Sequence, residues 1–119
     1  MKAFSGVVVE GKRLGRTIGF PTANLLTDTP PARGVYAVVA VADGRRYRAV
    51  MNVGRHPTVP EGPPTIEVHI IGFDGDLYGQ TLKIEPVRLL RGERKFSSLA
   101  ALEAQLERDR AMTEEIVTL

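Results

Sequence analysis

Apolar and polar positions alternate most cleanly from Thr65 to Ile71, where Ile66, Val68 and Ile70 take one face and Glu67 and His69 the other. That two-residue period predicts a half-buried strand. Phe4 to Glu10 is a short valine-rich apolar run, consistent with a buried strand, and Val35 to Ala42 is a β-rich run. Arg46 to Val53 is a further β-rich run, separated from Val35 to Ala42 by a turn at Asp43-Gly44. Asp-Gly there predicts a tight hairpin, since such turns want positive φ at both central positions. Thr81 to Leu90 supplies another strand, and Pro86 within it implies a sheet edge or a bulge. Thr27 to Pro31, residues 55 to 64 with four of the eight prolines, and Phe73-Asp74-Gly75-Asp76 read as loops or turns. Ser97 or Ser98 is a suitable N-cap for a helix from about 98 to 112, on which Leu99, Leu102 and Leu106 share one face.

The pattern is thus five or six short strands followed by one helix. Strands do not alternate with helices, which argues against a parallel doubly wound sheet and for a small antiparallel barrel in one domain, residues 1–119. Any phosphate site on such a scaffold comes from loops, because strand-to-helix turns are missing from the pattern.

Composition narrows the class further. Hydrophobic content of 43% and charged content of 25% fit an ordinary globular domain, and zero cysteines exclude a disulfide framework and a thiolate metal site. The first residues lack a signal-peptide core, and the apolar run Val35 to Ala42 is too short to cross a bilayer, so the expectation is a cytoplasmic protein without a membrane partner. Net charge is only +2, and three tyrosines and four phenylalanines without basic interleaving do not build a nucleic-acid stacking platform.

Gly19-Phe20-Pro21-Thr22-Ala23-Asn24 carries the most chemistry. Proline fixes its own φ and extends Phe20, so a hydroxyl and an amide carbonyl, both hard oxygen donors suited to Mg²⁺, stand two residues apart on a stiffened backbone. The alternative is that Thr22 and Asn24 bond their own turn. Just upstream, Gly11-Lys12-Arg13-Leu14-Gly15-Arg16 is either a flexible turn or a basic glycine loop whose amides approach phosphate. A P-loop is disfavoured, because Arg13 stands where the motif wants Ser or Thr. Glu67 sits mid-strand opposite an apolar face, as a site carboxylate or a solvent-facing residue. His56 and His69 are too few for zinc, His69 reads as a strand surface residue, and Asp74 and Asp76 fit turn chemistry better than a calcium loop. No nucleophile elbow is present.

Several blocks in order carry a family resemblance: Gly15-Arg16 with Gly19 to Asn24, Gly34-Val35-Tyr36-Ala37, Asn52 to Thr58, Ile66 to Ile70, Asp76-Leu77-Tyr78-Gly79, and Leu90-Arg91 through Lys95-Phe96. In these the chain resembles the riboflavin kinases, the ATP-dependent flavokinases found alone or as the C-terminal half of bifunctional bacterial FAD synthetases. The resemblance implies a mostly β fold, a six-stranded antiparallel Greek-key β-barrel with a C-terminal α-helix. It implies transfer of the ATP γ-phosphoryl group to riboflavin, giving FMN and ADP, with Thr22 and Asn24 holding Mg²⁺ and the ATP phosphates and Glu67 as catalytic base. Gly11, Arg16, Ile70 and Tyr78 then lie around the nucleotide, and Arg91, Arg94 and Phe96 on a loop closing over the flavin. The partners so implied are small molecules, with no nucleic acid, and the isolated domain is expected to be a monomer. Two departures are visible: Lys12-Arg13-Leu14 makes a compact basic version of the glycine loop, and Gly92 adds backbone freedom beside Arg91.

Overall fold

The computed structural model describes residues 1–9, 20–55 and 62–119. The glycine loop, with Gly11 and Arg16, and His56 fall outside these residues. Six strands, β1 (Phe4–Val9), β2 (Ala23–Leu26), β3 (Gly34–Ala42), β4 (Arg45–Gly54), β5 (Thr65–Ile70) and β6 (Thr81–Arg91), precede one helix, α1 (Leu99–Ile116). They close into an antiparallel barrel in the order β1-β2-β5-β4-β3-β6. Because β6 returns beside β3, strands β3 to β6 form a Greek key, and closure leaves no free edge.

Alternation fills the barrel. Val38, Met51, Val53, Val68, Leu82 and Ile84 point inward and are essentially inaccessible to solvent. Strand β3 lacks a polar face because its outer side is covered as well: Ala37 and Val39 pack against Val117, just beyond α1, with Val41 and Leu90 alongside. Arg48 on β4 donates from Nε to the Val117 carbonyl at 2.7 Å, tying that segment to the wall. The continuous apolar run is therefore a strand sandwiched between core and helix.

The hairpin turn has Asp43 at φ 50° and Gly44 at φ 76°, as the Asp-Gly signal requires. At Pro86 the outcome is the bulge, not the edge. Val38 pairs with Pro86 and Ala37 with Arg88, so Val87 is an extra residue that carries the strand past the proline. Strand β2 has no counterpart in the sequence pattern; at four residues with one buried side chain, Leu25, it offers no periodicity to read.

The helix corrects the expectation most. Ser98 caps it, accepting from the Ala101 amide at 3.1 Å, and it runs four residues further than the pattern indicates, to Ile116. Leu99 is 50% exposed, whereas Gln105, Asp109 and Thr113, one stripe at i, i+4 and i+8, are buried. The helix thus docks through a polar face. Among the described residues, no helix is long and apolar enough to cross a membrane.

Candidate active site

At one end of the barrel a cavity of about 850 Å³ opens between β1, the start of β2, the end of β5 and the loop 73–78. Thr22, Asn24, Ile70 and Tyr78 all line it. Asp76 shapes the loop side, its Oδ1 accepting from the Tyr78 amide at 2.8 Å, so this carboxylate serves turn chemistry. Gly79 donates its amide to the Val8 carbonyl, which locks that loop against β1.

Glu67 stands beside this cavity, outside its lining. In the ladder between β2 and β5, Asn24 is paired with Glu67 and Ala23 with Val68, which puts the amide and the carboxylate next to each other on the outer face. The Thr22 hydroxyl donates to Glu67 Oε1 at 3.2 Å. Spending its proton on the carboxylate leaves the hydroxyl lone pairs free to meet a cation. Hydroxyl and amide carbonyl are hard oxygens suited to Mg²⁺, which keeps positions for water and phosphate oxygens, and the carboxylate stands beside them. Phe20, just before the turn, is 3% exposed and packs its ring 5.3 Å from that of His69.

A second cluster gathers where β6 meets α1. Arg91 grips Asp109 with two parallel bonds, Nε to Oδ1 at 3.1 Å and Nη2 to Oδ2 at 2.8 Å, and Asp109 is only 4% exposed. Gln105 Nε2 donates to Asp109 Oδ1 at 2.9 Å, while Arg94 and Arg108 both donate to Gln105 Oε1. The Arg91 and Arg94 guanidinium carbons lie 5.8 and 5.3 Å from the centroid of the Phe96 ring. Arg91, Arg94 and Phe96 are therefore one unit, held from beneath by the polar stripe of α1. Sequence reading missed that support, because Gln105 and Asp109 look like solvent positions on an amphipathic helix.

The two clusters lie on one circumferential row. Asn24 pairs with Glu67, Glu67 with Asn52, Asn52 with Val35, and Val35 with Arg91. Three strand spacings thus separate Glu67 from Arg91, roughly 15 Å along the wall.

Comparison with known proteins agrees with this architecture. The family model described as "Flavokinase: Riboflavin kinase" matches residues 2–117. The bifunctional riboflavin kinase/FMN adenylyltransferase of Bacillus subtilis (strain 168) is 42% identical over 111 residues, covering 88% of this chain and 35% of that protein. Among solved structures, the riboflavin kinase of Trypanosoma brucei superposes with a TM-score of 0.70 at 25% identity, covering 95% of this chain and 77% of its own. A Streptococcus pneumoniae chain described as a macrolide-efflux protein superposes with a TM-score of 0.87 at 37% identity, covering 94% of this chain and 38% of its own. This chain spans little more than a third of the length of the curated bifunctional relatives it matches. With a family match over nearly its whole length and a barrel of the same architecture, the chain belongs to the riboflavin kinase family.

Proposed function

We propose that this domain transfers the γ-phosphoryl group of MgATP to the terminal ribityl hydroxyl of riboflavin, giving FMN and ADP. The observation that carries the reading is the Thr22–Glu67 hydrogen bond, with Asn24 in register beside it, at the rim of a cavity large enough for a nucleotide. Phosphoryl transfer asks mainly for in-line positioning and for neutralised phosphate charge. In the reaction the ribityl oxygen bonds to the γ-phosphorus, the bond to the β,γ-bridging oxygen breaks, and that electron pair leaves with ADP. Glu67 takes the hydroxyl proton, and a positioned base of this kind contributes on the order of 10²- to 10⁴-fold.

Thr22 Oγ1 and the Asn24 carbonyl would hold Mg²⁺. When bound, the ion neutralises charge on the phosphate oxygens. Ile70 and Tyr78 offer apolar and aromatic surface to the nucleotide base, and Gly11 and Arg16 are assigned to the phosphates by family resemblance. Arg91, Arg94 and Phe96 receive the flavin ring, whose ribityl chain runs along the outer row towards Glu67.

Incubating the protein with riboflavin, ATP and magnesium tests this directly, with FMN and ADP appearing in equal amounts. Binding of both ligands without ADP release would replace the kinase reading with that of a flavin or nucleotide binder.

A further inference from the structure

The ladder between β2 and β5 runs from Leu25 paired with Ile66 to Ala23 paired with Val68 and stops there. Beyond it, side chains of β5 take over. Glu67 and His69 lie two residues apart on the same outer face, and each holds one residue of the turn before β2. Glu67 accepts from Thr22, and His69 Nδ1 lies 2.9 Å from the carbonyl oxygen of Pro21. Proline has no backbone N–H, so this carbonyl is its one backbone hydrogen-bonding group. A carbonyl only accepts, and the proton is therefore on Nδ1.

The other ring nitrogen is informative as well. Nε2 is buried and meets no partner among the described residues. A second proton there would be an unpaired buried donor, which is costly. Burial accordingly lowers the His69 pKa, Arg110 of α1 lowers it further, and the Pro21 bond and Glu107 oppose both. The ring aims its single N–H at Pro21 and lies tilted at 59° to the Phe20 ring.

We infer that His69 is a positioning residue: by fixing the Pro21 carbonyl it sets where the Thr22 hydroxyl and the Asn24 amide stand for a magnesium-bound nucleoside phosphate. The inference rests on the nucleotide reading of this corner. His69 touches no substrate atom in it; it acts through the turn.

Three variants and two readouts test it. MgADP binding is measured by calorimetry, and KM is measured separately for MgATP and riboflavin. His69→Phe keeps a ring against Phe20 and loses the bond; MgADP affinity falls about tenfold, as for lost supporting contacts around metal ligands, and KM for MgATP rises with it while KM for riboflavin stays. His69→Asn, whose amide reaches the Nδ1 position, recovers most of the affinity. His69→Gln, which reaches only the Nε2 position, does not. Should His69→Phe fail to fold, the Asn and Gln variants decide by themselves. Unchanged MgADP affinity in His69→Phe, equal affinities for the Asn and Gln variants, or equal KM shifts for both substrates would each overturn the inference. A wild-type protein that binds MgADP but forms no FMN removes the kinase reading and leaves this comparison standing; one that does not bind MgADP removes both.

Discussion

Among the described residues, Glu67 at the Pro21 corner accepts one side-chain hydrogen bond, from Thr22, whereas Asp109 on α1 is gripped by two guanidinium nitrogens of Arg91 and by Gln105. Both regions are polar and both sit on the same outer row of the barrel. One has been left with spare valence; the other has been saturated. A site that must receive a cation and phosphates gains from oxygens whose lone pairs are free, because every protein partner would have to be displaced on binding. A site that receives a flat apolar ring gains from side chains already fixed, since ordering arginines at binding costs rotamer freedom. Stability and chemistry are thus separated: breaking the seam should unfold the protein, and breaking the corner should disable it.

The largest expected effect falls on the seam. Asp109→Ala leaves the half-buried Arg91 charge without its partner, and loss of one member of a buried pair costs about 3 kcal/mol. Denaturant titration should show a lower midpoint at an unchanged slope. Asn24→Ala should do the reverse, with midpoint unchanged and MgADP affinity down roughly 10- to 100-fold by calorimetry, as expected for a removed metal-site contact. Gln105→Ala is a finer cut at the seam: Asp109 keeps Arg91 but loses one donor, and the unfolding free energy should drop by about 1 kcal/mol.

The smallest effect concerns pH. Burial holds the His69 pKa below the ordinary 6.5, so as pH falls through that value the unfolded chain takes up a proton that the folded chain refuses. Stability therefore declines from about pH 6.5 down to the folded pKa and is level below it. His69→Asn should flatten this part of the stability-pH profile.

What the sequence reveals follows from how local each signal is. Asp43-Gly44 encodes its turn in two residues, and β5 declares its outward Glu67 by simple alternation, so hairpin and carboxylate are legible together. Strand β2 is silent, because four residues held by two neighbouring strands need no pattern of their own. The buried face of α1 misleads, since Leu99, Leu102 and Leu106 look like the core side until Arg91 of β6 and Arg94 just beyond it are brought in. His69 could not be read as a partner of Pro21, because a ring nitrogen meeting a carbonyl across 48 positions leaves no trace in spacing. Thr22 and Asn24 were visible through their oxygens and the preceding proline, while their adjacency to Glu67 depends on a ladder only the fold supplies.

The most direct measurement is turnover of Glu67→Gln set beside its MgADP affinity. A catalytic base at this position predicts FMN formation reduced by about 10²-fold or more, with nucleotide binding and unfolding midpoint close to those of the unaltered protein. Full turnover in that variant would contradict it.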